Sequence, residues 1–181
     1  KEEFLQDSDI ITDLKLRAST GLLGNDSVSP YMFMSSYNQS LNVVYPDGMH
    51  PSYSTSGVPN TDLTWEKTQS TNIGMDLQLF EGLLGVEVDG FYNYTYDILQ
   101  SLGSDYPPSM GDYHPSYANL GATDAKGIDV LLTHNNKFMV AGKPLHYTIG
   151  ANLSWAKNRW IKYPDAANIP EWQKVTGTSL N

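Results

Sequence analysis

The sequence predicts an all-β fold: an antiparallel up-and-down segment of a transmembrane β-barrel with about five strands, short turns on one side and long loops on the other. Three observations carry the prediction. Apolar and polar residues alternate with period two in five stretches, as expected of strands with two unlike faces. The connections alternate between long and tight, an asymmetry typical of barrels that span an outer membrane. Aromatic residues gather at the ends of the apolar bands, where interfacial girdles sit.

The first strand lies near 12–23. Leu14, Leu16, Ala18, Thr20 and Leu22 share one face, and Lys15, Arg17, Ser19 and Gly21 share the other. A long loop is expected near 24–63, where Ser, Asn, Gly, Pro and Tyr follow no sustained period. The second strand, near 64–80, alternates Thr71, Ile73, Met75, Leu77 and Leu79 with Ser70, Asn72, Gly74, Asp76 and Gln78. The third, near 83–97, alternates Leu84, Val86, Val88, Gly90, Tyr92, Tyr94 and Tyr96 with Gly85, Glu87, Asp89, Phe91, Asn93, Thr95 and Asp97. Glu81-Gly82 is expected to form a two-residue hairpin between them, setting Leu77 opposite Val86 and Met75 opposite Val88. A second long loop near 98–121 leads to a fourth strand near 122–134, with Ile128, Val130 and Leu132 opposed to Asp129 and Thr133. "NNKFMVAGKP" reads as a turn region. A fifth strand near 145–157 follows, with Tyr147, Ile149, Ala151, Leu153 and Trp155 on one face. From Asn158 onward the chain reads as another loop. Residues 1–181 are thus expected to form one partial barrel domain.

The bands Thr71–Leu79 and Leu84–Tyr92 each hold nine residues, and a tilted transmembrane strand needs about 9–11. Tyr92, Tyr94, Tyr96 and Trp155 fall at the long-loop end, and Tyr147 at the other. The polar face would then line a wet lumen. Alternation alone also fits a soluble β-sandwich, in which the apolar face meets a second sheet.

Composition narrows the function. Charged residues make up 17% of the chain and cysteine is absent, so disulfides and thiolate metal sites are excluded. The net charge of −9 opposes a nucleic-acid surface, which needs clustered Lys and Arg. The opening "KEEFLQDSDI" lacks the pattern of a signal peptide. The chain reads as a piece of something longer or as a mature region.

Three stretches carry a family likeness: "LKLRASTGLLGND" (Leu14 to Asp26), "PNTDLTWEKTQSTNIGMDLQLFEGLLGVEVDGFYNYTYDIL" (Pro59 to Leu99) and "NLGATDAKGIDVLLTHNN" (Asn119 to Asn136). In this order they resemble the signatures of SusC/RagA-type TonB-dependent outer-membrane transporters. Thr20 replaces the usual aromatic residue and Thr61 a common proline, without disturbing the alternation. The resemblance implies a segment from the latter part of a large plugged barrel in the bacterial outer membrane. The plug, the energy-coupling box and the final strand would belong to other parts of the parent. It also implies import of glycan or peptide nutrients with a SusD-like surface lipoprotein and the TonB system as partners, outer-membrane lipid around the barrel, and no cofactor. The competing function is a soluble carbohydrate-binding module, followed by an adhesin or scaffold.

Catalysis is not expected. Asp112, His114, His134 and His146 supply acid and base groups, but no serine or cysteine motif accompanies them. Asp7, Asp9 and Asp13 in "DSDIITD" lack the glycine and terminal Glu of a calcium loop, so no metal site is expected. The sequon at Asn93 reads as chance. The binding candidates are loop aromatics: Tyr31, Phe33, Tyr37, Tyr45 and Tyr53 in the first long loop, and Tyr106, Tyr113 and Tyr117 in the second. Tyrosine stacks on sugar rings or grips peptides while its hydroxyl hydrogen-bonds, although the same rings could simply pack the loops. A lumen charge cluster is also expected. The hairpin register sets Asp76 opposite Glu87, with Asp89 one inward position on, and like charges so placed repel. Lys15 and Arg17 lie inward near the same end, and Arg17 could relieve the repulsion with a forked contact.

Overall fold

A computed structural model describes residues 10–26, 28–56, 58–102, 106–111, 113–166 and 168–180. Asp7, Asp9 and Asp112 lie outside the described residues. Among the described residues seven strands form in chain order: β1 (Ile11–Asn25), β2 (Ser36–Tyr45), β3 (Gly48–Ser56), β4 (Glu66–Leu79), β5 (Leu84–Ser101), β6 (Tyr117–Val140) and β7 (Lys143–Lys162). Five of them make one antiparallel sheet, in the order β1-β4-β5-β6-β7, and β2 and β3 pair separately.

The sheet is up-and-down, and its rows follow the alternation in the sequence. Leu14, Leu77, Val86, Leu132 and Ala151 stand in one cross-strand row, and Leu16, Met75, Val88, Val130 and Leu153 in another. Among the described residues no second sheet covers this face. Leu16 is 73% exposed and Leu153 71% exposed. A soluble sandwich would bury those side chains at about 25 cal/mol per Å² of apolar surface, so the sandwich alternative is not supported.

The apolar band crosses the sheet on a diagonal. On β1 it runs from Leu14 to Leu22. On β7 the residue level with Leu14 is Ala151, and the band runs from Leu145 to Trp155, four to six residues lower. Strand tilt accounts for the offset. At about 40° of tilt and about 4.8 Å between strands, each step shifts a membrane plane by roughly one residue along the strand. Four steps shift it by about five.

This diagonal corrects the reading of "NNKFMVAGKP" as a turn region. β6 must continue to Val140 to reach the lower edge of the band. The turn itself is only Ala141-Gly142, both at positive φ, between the paired residues Val140 and Lys143. The strand expected near 145–157 likewise extends to 143–162. At the β4–β5 turn, Glu81 and Gly82 do occupy the centre with positive φ, closed by the Leu83 N–H donating to the Phe80 carbonyl at 3.1 Å. Phe80 is also at positive φ, so the ladder stops one pair earlier, at Leu79–Leu84.

The stretch 24–63 is not all loop. It contains the β2–β3 hairpin, turned by Pro46-Asp47 between the paired Tyr45 and Gly48. Proline presets the first turn position, and Gly48 takes the positive φ that follows. A bulge between Ser40 and Val43 shifts the side-chain parity and erases the period in the sequence. The loop expected near 98–121 is shorter, because β5 reaches Ser101 and β6 begins at Tyr117.

After β7 the chain turns and runs back beside it. The Trp160 N–H donates to the Thr178 carbonyl at 2.9 Å, and the Gly177 N–H donates to the Trp160 carbonyl at 2.7 Å.

Candidate functional site: the lumen wall and the long-loop rim

The inward face of the sheet is polar. Arg17, Ala18, Ser19, Ser70, Asn72, Gly74, Asp89, Phe91, Asn93 and Asp129 border a shallow concavity of about 700 Å³. Arg17 borders it from the edge strand β1. One nitrogen, Nη2, donates to Asp76 Oδ1 at 2.7 Å and to Asp89 Oδ2 at 2.9 Å. The fork expected toward a single carboxylate is not used; the guanidinium bridges two carboxylates instead. The reason is Gly74, which pairs with Arg17 on β1 and with Asp89 on β5. A Cβ there would overlap the Asp89 carboxylate and stand 3.1 Å from Arg17 Nη2. Glycine therefore leaves the gap through which charges from β1 and β5 meet across β4.

Lys15 Nζ stands 4.0 Å from Asp76, a loose contact. Glu87 does pair with Asp76 in the ladder, but among the described residues no cation lies within ion-pair distance of it. Asp129 pairs directly with Asp89 and was missed from the sequence. Its alternation was plain; what was missing was the β5–β6 register, which a long connection does not fix. Carboxylates therefore outnumber cations on this part of the lumen wall.

The eight aromatic candidates do not form one site. Tyr31 and Phe33 line an apolar cleft of about 480 Å³ at the long-loop end of β1 and β4, with Val28, Met32, Leu63 and Trp65. Tyr37 and Tyr53 lie in strands, not loop. Tyr37 pairs with Thr55 and Tyr53 with Gln39, which places both rings diagonally on one hairpin face, 74% and 66% exposed. Tyr45, also in strand, meets His50 edge-on at 5.4 Å. Tyr106 stacks on His114 at 4.4 Å. Tyr113 is exposed. Tyr117 is the first residue of β6 rather than a loop residue, and its carbonyl accepts from Asn60 Nδ2 at 2.9 Å.

Two asparagines tie the long connections together. Besides its side-chain bond, Asn60 donates its N–H to the Phe33 carbonyl at 3.1 Å. Asn119 accepts from the Thr64 N–H at 2.9 Å and donates to the carbonyls of Thr64 and Asp97, each at 2.7 Å. Asp97 is at positive φ beside a register shift in β5, and its carboxylate accepts from Lys67 Nζ at 2.8 Å. These contacts give physical content to the asparagines of "PNTDLTW" and "NLGATD".

Among the described residues these acid and base groups do not converge. His114 lies at the long-loop end. His134 sits at the opposite end on the outward face, with its ring 5.5 Å from Tyr147. His146, level with Lys137, is on the inward face there. Among the described residues no group of three or more His, Asp or Glu side chains could hold a metal.

The comparisons with known proteins agree with this geometry. The family model described as TonB dependent receptor-like, beta-barrel, matches residues 9–181. TonB-dependent receptor P3 of Formosa agariphila is 28% identical over 172 residues, covering 93% of this chain and 16% of the relative. TonB-dependent receptor SusC of Bacteroides thetaiotaomicron is 28% identical over 176 residues, covering 90% of this chain and 16% of the relative. A solved structure of the RagAB peptide transporter superposes with a TM-score of 0.64 at 27% identity, covering 89% of this chain and 17% of that one. The chain thus spans about a sixth of the length of these relatives. They are named as receptors and transporters, not enzymes.

Proposed function

This chain belongs to the family of TonB-dependent receptor-like β-barrels, and on that premise we propose that it forms part of the wall of an outer-membrane importer of glycan or oligopeptide nutrients. The observation that carries the proposal is the two-faced sheet. Its uncovered apolar band suits lipid, and its charged and hydrogen-bonding face suits a water-filled lumen. The RagAB likeness favours peptides; the exposed Tyr37 and Tyr53 suit either substrate, because a tyrosine face stacks on sugars and grips peptide backbones alike. In this reading the long-loop end meets substrate and a SusD-like surface lipoprotein. Energy from TonB enters through other parts of the parent protein.

The test uses the full-length parent in its own cell. Uptake of labelled oligopeptides and of labelled glycans is measured with and without the parent gene. Loss of either uptake supports an importer and identifies the substrate class; unchanged uptake of both overturns it. A Tyr37→Ala/Tyr53→Ala variant then separates roles. Reduced uptake or lipoprotein co-purification from a still-folded barrel assigns the hairpin face to substrate or partner. Unchanged values for both reduce that face to packing.

A further inference from the structure

The chain carries a net charge of −9 and only 11 Lys and Arg residues, yet four of them stand together on one small patch. On β6 and β7 the outward apolar band ends at Ile128 and Trp155. The next outward residues toward the long-loop end are Lys126 and Lys157, which pair directly across the strands. Arg159, opposite Asp124, follows, then Lys162, opposite Ala122. All four cations are exposed.

Like charges directly opposite each other on a sheet repel. The acidic side chain set among them, Asp124, does not relieve them. Asp124 is 4% exposed, and both its oxygens accept from Arg159, Oδ1 from Nε at 3.0 Å and Oδ2 from Nη2 at 3.1 Å. Lys126, Lys157 and Lys162 have no acidic partner among the described residues. Asp124 is thus committed to Arg159, and the three ammonium groups are left uncompensated. Trp155 and Ile128, half exposed just beneath, mark the edge of the hydrocarbon layer.

We propose that Lys126, Lys157 and Lys162 bind the phosphate groups of an outer-leaflet lipid of lipid A chemistry. The occupant follows from position and charge. A molecule there must lay acyl chains along Ile128, Leu153 and Trp155 while presenting anionic oxygens one residue pair higher. A phosphorylated glycolipid does both, and its phosphates remove the Lys126–Lys157 repulsion. The inference rests on the barrel reading above and adds a ligand to its outer wall.

The experiment uses the full-length parent in nanodiscs of phosphatidylcholine doped with bis-phosphorylated lipid A, with mass spectrometry of retained lipid after detergent exchange. The wild type should retain lipid A, and Lys126→Gln/Lys157→Gln should retain on the order of tenfold less, since a cation beside an anionic headgroup contributes several-fold in affinity. Lys137→Gln, at the other end of β6, should retain as much as wild type. Equal retention by wild type and the double variant overturns the site. Equal retention of dephosphorylated lipid A overturns the phosphate contact. Equal retention of phosphatidylglycerol overturns the outer-leaflet assignment. The barrel reading is scored separately, by heat-modifiable migration on gels: a barrel that folds but shows no phosphate-dependent retention refutes only the lipid site.

Discussion

The ring of Phe91 lies over Gly127 on the lumen face, so closely that a Cβ at Gly127 would meet two ring carbons at 2.6 Å and the Trp155 carbonyl oxygen at 2.5 Å. Phe91 and Gly127 are cross-strand partners between β5 and β6, and the ring shields backbone that glycine would otherwise leave bare. Gly127→Ala should therefore destabilise the barrel by about 1–3 kcal/mol through overpacking. The ring could swing away, but the Trp155 carbonyl belongs to the β6–β7 ladder and cannot. A Phe91→Ala/Gly127→Ala double variant should recover only part of the loss. The measurement is the temperature at which the parent loses heat-modifiable gel migration. Full recovery in the double variant would leave the carbonyl contact without effect.

Val88 and Asn93 lie on the same strand but on opposite faces. Val88 sits mid-band between Met75 and Val130, whereas Asn93 accepts from Ser70 Oγ at 2.7 Å on the lumen side. Arginine at Val88 should cost about 2–4 kcal/mol, as on the lipid face of a barrel near its midplane. Arginine at Asn93 should cost much less, because water solvates it. Equilibrium unfolding of the two variants in the same lipid decides the matter; equal costs would remove lipid from the outward face.

What could be read from sequence depended on whether a period survives. β4 and β5 were legible because strict alternation and a turn at Glu81-Gly82 fix their register, including Leu77 with Val86 and Met75 with Val88. β2 and β3 were hidden by the bulge after Ser40, by Pro51 and by serine on the exposed faces. The lower part of β6 was hidden because Asn135, Asn136 and Gly142 carry turn chemistry, while the tilt that obliges the strand to continue has no local signature. At the site, Asp76 and Asp89 could be gathered from one hairpin register, whereas Arg17 joined them only on the supposition that its strand lies beside Asp76, a β1–β4 register that spans a long connection. Asp129 and the Lys126–Lys157 pair required the β5–β6 and β6–β7 registers, which no single segment encodes.

Arg17 joins Asp76 and Asp89 through a single nitrogen. Arg17→Ala should leave these carboxylates, with Glu87 and Asp129 nearby, to repel one another. The variant should be less stable than wild type at low salt, with the difference shrinking toward 1 M salt, where the screening length falls to about 3 Å. Because no fork is used, Arg17→Lys should restore much of the loss. A lysine variant as unstable as the alanine variant would instead show that the planar group matters. Denaturant titrations of the parent at two salt concentrations read both outcomes.

Asp165 organises the turn that brings the chain back beside β7. Its carboxylate accepts from the Val175 N–H at 2.8 Å and the Thr176 N–H at 3.0 Å. The Thr176 side chain is the largest influence lowering its pKa; burial opposes it, and the two N–H groups and Lys174 add to the lowering. The folded-state pKa therefore lies below the unfolded value, and folding favours the ionised form. Its stabilising contribution is complete above the unfolded pKa of about 4 and is lost as pH falls through the lower folded value. Asp165→Asn should weaken the turn at neutral pH, and the gap from wild type should close as the medium is acidified below about pH 4. Hydrogen-exchange protection of the Thr176 to Thr178 amides in the parent protein, corrected for intrinsic rates, measures this. A gap that stays constant from neutral to acid pH would mean that the ionised carboxylate is not what holds the turn, leaving that role to the Thr178 hydroxyl bond to the Val175 carbonyl at 2.6 Å.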